Sequence, residues 1–134
     1  MSSFEAIIAV EDDFLRITTI GKYSFHELFG FIDRVKGEAE RSKRSRVLID
    51  SRLLDGKMTE AEKFQGGQRI AEVFWHRIKA AVLMPAENIT KLGEMAAVNR
   101  GARFFVTHSE DEALGWLLGK DGDSDPRSRS QGPR

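Results

Sequence analysis

Hydrophobic and polar positions divide this chain into short units of two alternating periods. Phe4 to Val10 is apolar and β-branched. Phe14 to Ile20 alternates, with Leu15, Ile17 and Thr19 on one side and Phe14, Arg16, Thr18 and Ile20 on the other. The acidic run Glu11-Asp12-Asp13 between them reads as a polar turn, so the pattern predicts an antiparallel hairpin. Ser24-Phe25-His26-Glu27 has the form of a capping box. After it Phe25, Leu28, Phe29, Ile32, Val35 and Ala39 recur at helical spacing as far as about Arg41. A polar break, Ser42 to Arg46, precedes Val47-Leu48-Ile49, a continuously apolar strand of the kind buried on both faces, and Asp50 ends it.

The same alternation then repeats. Thr59-Glu60-Ala61-Glu62 is a second capping box, opening a helix that carries Phe64, Ile70, Ala71, Phe74 and Trp75. Gly66-Gly67 in its middle costs about 1 kcal/mol per residue relative to Ala, and predicts a kink, a close packing contact or a break. Ile78 to Met84 is strand-like and stops at Pro85. Ile89 to Asn99 reads as a helix, with Gly101 suited to a left-handed residue after its end. Ala102 to Thr107 is the last strand. Ser109 to Glu112 is a third capping box, leading into Ala113, Leu114, Trp116 and Leu117. The order ββαβαβαβα predicts an α/β fold: one domain over 1–119 with a mostly parallel five-stranded sheet, the first strand being the antiparallel exception. Residues 120–134 hold almost nothing that can be buried and are expected to be a disordered tail.

Composition narrows the function classes. Lys plus Arg equals Asp plus Glu at 21 each, so no net field draws the chain to nucleic acid. The basic run Arg41, Lys43, Arg44, Arg46 alternates with Glu38 and Glu40 and has no aromatic neighbour for base stacking, so it reads as a solvated helix end. No apolar run approaches the ~18 residues of a membrane helix. Cysteine is absent, which excludes disulfides, thiolate nucleophiles and sulfur-based zinc sites. These features and the lack of a signal-peptide pattern lead to the expectation of a cytoplasmic protein.

With that element order in hand, the chain resembles the SpoIIAA-like group of STAS-type domains, the anti-sigma-factor-antagonist fold, itself similar to CRAL-TRIO lipid-binding domains. The resemblance covers residues 4–119. It rests on Ile20-Gly21-Lys22-Tyr23, on Val47-Leu48-Ile49-Asp50, and on Asn99-Arg100-Gly101-Ala102-Arg103-Phe104-Phe105 with Glu112-Ala113-Leu114-Gly115-Trp116-Leu117. It implies a non-enzymatic interaction or regulatory module, often dimeric, and through the CRAL-TRIO likeness a carrier or sensor of a small apolar ligand or lipid. It does not extend to the phosphorylatable Asp-Ser-Ser-Gly type motif of the antagonists. The corresponding stretch here is Leu54-Asp55-Gly56-Lys57-Met58-Thr59-Glu60, where Thr59 supplies the nearest hydroxyl.

Candidate chemistry is sparse. Asp50 and Ser51 leave the third strand, where open α/β sheets bind ligands, and with Thr59 they form the candidate ligand-binding set. Glu11, Asp12, Asp13 and Asp50 loosely imitate the acidic pocket of a response-regulator receiver, but a strand follows the acidic run where a receiver needs a helix. His26, His76 and His108 lie in separate elements without metal-ligand spacing, so neither a metal nor a cofactor is expected. No nucleophile elbow, Walker loop or dinucleotide fingerprint occurs, leaving a weak enzyme as a lesser alternative. The aromatic surplus is more informative. Phe31 and Trp75 fall at the margins of their helical stripes and are the candidate interface residues of a homodimer.

Overall fold

In the computed structural model residues 3–119 are described, so the tail expected over 120–134 lies outside the described residues. The alternating segments become β1 (Phe4–Val10) and β2 (Leu15–Lys22), an antiparallel pair in which Ile7 faces Thr18. Then follow α1 (Phe25–Ser42), β3 (Arg46–Asp50), β4 (Leu54–Asp55), α2 (Glu60–Val73), β5 (Lys79–Leu83), a 3-10 turn (Ala86–Asn88), α3 (Leu92–Val98), β6 (Arg103–Thr107) and α4 (Glu110–Leu118). The sheet order is β1-β2-β3-β5-β6, with every pair after the first parallel, and β4 adds to the end of β2.

Because successive strand residues point to opposite faces, the apolar strands feed two cores. Leu15, Ile17, Val47, Ile49, Ala80, Phe104 and Val106 face Ile32, Val35 and Ala39 of α1, Ala71 of α2 and Ala97 of α3. Leu48, Ala81, Leu83 and Phe105 face Ala113, Trp116 and Leu117 of α4. The register lines Ile17, Ile49, Val82 and Val106 in one row across four parallel strands, on the face covered by α1, α2 and α3. One charged group lies deep in the α4 face. Lys79 is buried, and its Nζ donates to the Trp116 carbonyl at 2.7 Å beneath the C-terminal end of α4, 4.6 Å from the Trp116 ring centroid. The negative end of the helix and the ring face both favour a cation there.

The glycine pair in α2 resolves into the close packing contact. A Cβ on Gly67 would stand 2.2 Å from the Gly93 carbonyl oxygen, and one on Gly93 2.8 Å from the Lys63 carbonyl oxygen. Bare backbone on both helices therefore lets α2 and α3 touch, and α2 continues unbroken through Gly66 and Gly67.

Several expectations are corrected. The sheet has six strands and not five, since Leu54–Asp55 pairs with Gly21 and Lys22. The helix expected over Ile89 to Asn99 is shorter: Lys91 adopts φ 70 and starts α3 only at Leu92. Of the three capping boxes only Thr59–Glu62 is complete. Ser24 makes no side-chain cap, because Glu27 spends both carboxylate oxygens on the Ser3 N–H. Ser109 accepts the Glu112 N–H, but the Glu112 carboxylate takes the Thr107 hydroxyl instead. Trp75 is not on α2, which ends at Val73; it sits in the following turn at φ 43.

Candidate functional site

Glycine backbone at 66 and 67 leaves α2 without side chains where it crosses the sheet, and a hollow opens there. Its volume is about 180 Å³. Val82 and its row neighbours Ile49 and Val106 form the floor. Phe31 and Leu28 of α1 and Ile70 of α2 are among its walls. Val82 is the informative residue. It lies inside a central strand, on the core-facing side, yet is only partly buried. The hollow reaches down to the sheet at the carboxyl ends of the parallel strands, where open α/β sheets place ligands.

Two segments close the mouth. The loop after β3 folds back, pairs as β4 with β2, and brings the Asp55 carbonyl to 2.7 Å from the Tyr23 N–H. The segment after β5 turns at Pro85 through Asn88, and Lys63 of α2 clamps it by donating to the Asn88 carbonyl at 2.8 Å and to Thr90 Oγ1 at 3.0 Å. Lys63 also pairs with Glu60 at 3.2 Å. On the far wall, buried Glu94 accepts the Val106 N–H at 2.6 Å and pairs with Lys91, whose Nζ donates to the Val106 carbonyl at 2.6 Å. β6 has no strand on this side among the described residues, and the two side chains supply the donor and the acceptor that one would offer, which is how an edge strand is kept from pairing elsewhere. Tyr23 donates to Glu62 Oε1 at 3.2 Å. Burial, then the adjacent Glu62 carboxylate, push its phenol well above the ordinary tyrosine range, so it remains a neutral donor.

The expected ligand set separates. Ser51 lines the hollow, with its Oγ 2.8 Å from the hydroxyl of buried Thr19. Asp50 does not line it. Its carboxylate accepts from the Arg52 N–H at 3.1 Å, Nε at 3.0 Å and the guanidinium NH2 at 2.8 Å. Arg52 continues to Glu110 of α4 at 3.2 Å, and Glu110 to Arg16 at 3.1 Å. The Arg52 hydrogen bonds hold the Asp50 carboxyl below its usual range. Thr59 is the N-cap of α2: its Oγ1 accepts the Glu62 N–H at 3.1 Å, and its neighbour Met58 lines the hollow. The candidate interface pair also divides. Phe31 packs edge-on to Phe4, ring centroids 5.6 Å apart, and lines the hollow. Trp75 stands exposed at the opposite end of the sheet, before β5, stacked on His76 at 4.2 Å.

The receiver-like arrangement is not assembled. Glu11 to Phe14 closes the hairpin, with the Glu11 N–H on the Phe14 carbonyl at 2.9 Å, at the end of β2 opposite to the one beside Asp50. No group of three or more metal-ligating side chains occurs among the described residues. No helix among them is long and apolar enough to cross a membrane.

Sequence reasoning missed Val82, Ile70 and Asn88 as site residues. The nearest sequence signal was Gly66-Gly67, since both glycines line the hollow, but it marks the close packing of α2 on α3 and not the space itself.

No protein-family model matches the chain, and no curated protein matches it. Among solved structures it is similar to an anti-sigma factor antagonist from Mycobacterium paratuberculosis, with a TM-score of 0.59 at 10% identity, over 87% of this chain and 96% of that one. The likeness is one of fold, and the chain has the SpoIIAA-like, STAS-type α/β fold.

Proposed function

We propose that the domain is a non-catalytic regulatory module of the STAS type that takes up a small apolar molecule in the hollow between its sheet and α1, α2 and α3. The observation that carries this is the partial exposure of Val82 in the middle of an otherwise buried central strand. A well-packed α/β core leaves few voids larger than a water molecule, so an apolar hollow of about 180 Å³ is a departure from ordinary packing. Concave, mostly apolar sites with a few polar groups are the usual form of small-molecule sites. The two mouth segments, β4 with its loop and the turn around Asn88, are short and surface-placed, so occupancy of the hollow changes the face offered to a regulatory protein partner.

Filling the space tests this. Val82→Phe should place a ring where the ligand would sit, abolishing calorimetric binding of a probe such as toluene while leaving the thermal midpoint unchanged or higher, as cavity-filling substitutions do. Wild-type affinity for toluene in the Val82→Phe variant contradicts the reading.

A second feature supports association with another copy in the cytoplasmic setting expected for the chain. The outer edge of β1 has no neighbouring strand among the described residues, and Ile7 and Val10 of this strand are 54% and 56% exposed. Such an edge accepts a partner strand. Sedimentation of the full chain should show a dimer; a monomer at high micromolar concentration removes this reading.

A further inference from the structure

The end of the sheet opposite the hollow carries a residue that folding by itself does not explain. α2 runs into the turn Phe74-Trp75-His76-Arg77, and Phe74, only 1% exposed, anchors that turn in the core. The Arg77 N–H returns to the Phe74 carbonyl at 2.9 Å, and between them Trp75 takes φ 43. A left-handed residue just past a helix is ordinarily glycine, because a Cβ there crowds the neighbouring carbonyl oxygen. This position holds tryptophan instead, and the residue is 51% exposed. Trp75 therefore strains the backbone and leaves apolar surface in water without filling the core. Its neighbours nevertheless fix the ring. The indole stacks on His76 with centroids 4.2 Å apart, and Gly101, at φ 97, comes so close that a Cβ on it would stand 3.4 Å from the indole Nε1.

We infer that Trp75 anchors a docking surface for an acidic segment of a partner protein. One apolar side chain of that segment packs on the indole, and its carboxylates meet the arginines around it.

Charge identifies the partner. Arg46, Lys79 and Arg103 stand in register at the starts of β3, β5 and β6. Arg103 reaches the turn itself, donating to the His76 carbonyl at 2.9 Å. Arg77 follows Trp75 by two residues and Arg100 precedes Gly101, and both are exposed. No carboxylate among the described residues lies within ion-pair distance of Arg46, Arg77 or Arg100. Cations without a counter-charge beside an exposed indole suit a partner that brings carboxylates and an apolar contact. Trp and Arg are also the side chains in which protein interfaces concentrate their binding energy, and complementary charge steers the encounter. A nucleic-acid strand fits less well. It needs successive aromatic rings for its bases, whereas this surface has one indole, and exposed Asp12 and Asp13 lie at the same end of the sheet.

The test is fluorescence anisotropy of a dye-labelled peptide, Glu-Asp-Glu-Leu-Phe-Glu-Asp-Glu, titrated with the full chain. Binding should weaken roughly tenfold when salt is raised from about 0.05 to about 0.5 M. It should weaken by a similar factor when Gln and Asn replace the acids, or Ser replaces Leu and Phe. Trp75→Gly supplies the residue that the backbone favours. It should keep or raise the thermal midpoint while weakening binding about thirtyfold, the scale of a hot-spot truncation. Arg77→Gln should weaken binding roughly threefold and flatten its salt dependence. Wild-type binding by Trp75→Gly, equal binding of the uncharged peptide, tighter binding of an oligothymidylate, or no binding at about 1 mM protein overturns the inference. A lowered midpoint in Trp75→Gly also overturns it, by assigning the tryptophan to folding.

Discussion

Replacing Gly67 by Ala is expected to destabilise the domain by roughly 1–3 kcal/mol, the ordinary cost of overpacking. The added methyl would meet the Gly93 carbonyl oxygen at 2.2 Å and the Ala96 Cβ at 3.0 Å. Both belong to α3, and a backbone oxygen cannot swing aside as a flexible side chain can, so the helices must separate. Gly30 provides the internal comparison. It too lies inside a helix, but a Cβ there meets nothing within 4 Å. Gly30→Ala should therefore stabilise by about 0.5–1 kcal/mol through helix propensity alone. Urea unfolding of the two variants should move the midpoint in opposite directions. A midpoint unchanged or raised in Gly67→Ala means that α2 and α3 are not packed backbone to backbone.

The second large effect is expected at Glu94. Its carboxylate is buried, accepts the Val106 N–H and pairs with Lys91. Glu94→Ala leaves the buried Val106 N–H without its acceptor, which costs about 1–3 kcal/mol, while Lys91, 44% exposed, keeps water and the Val106 carbonyl as partners. Glu94→Gln keeps an acceptor of the same length for the Val106 N–H and should lose markedly less. The difference between the two variants in denaturant unfolding measures the carboxylate as a surrogate for a neighbouring strand. Equal losses would assign the effect to the charge pair alone. Glu94→Ala also bares the edge of β6, so light scattering should show more self-association than in the Gln variant.

Much of the fold was legible because local signals agreed with the tertiary result. The alternation grouped Leu15, Ile17 and Thr19 on one face of β2, and these three residues are buried. The acidic run marked the hairpin, and the apolar run Val47-Leu48-Ile49 marked a strand covered on both sides. That same continuous run hid which face Asp50 would take. Without alternation there is no parity to read, and Asp50 fell on the α4 face beside Arg52 while Ser51 reached the hollow. β4 is two residues long and is set by pairing with the end of β2, a long-range effect with no local periodicity. α3 was overextended because Lys91, at φ 70, has a side chain that gives no sequence warning of a left-handed backbone. Phe31, expected at the margin of the α1 stripe as an interface residue, packs partly buried against the core. The surface that receives it is Phe4 and the wall of the hollow, so its stripe is broad because α1 overlies the edge of the sheet. The hollow itself was not legible, since a cavity is the space left by three helices and depends on the approach of α2 to α3.

The most direct measurement of the central claim is a methyl-labelled NMR titration of the full chain with toluene. The account predicts saturable shifts concentrated on Val82, Ile70, Ile89 and Leu28, which line the hollow, with Leu48 and Leu117 on the α4 face unmoved. Shifts absent at saturating toluene, or confined to the exposed side chains of β1, would contradict it.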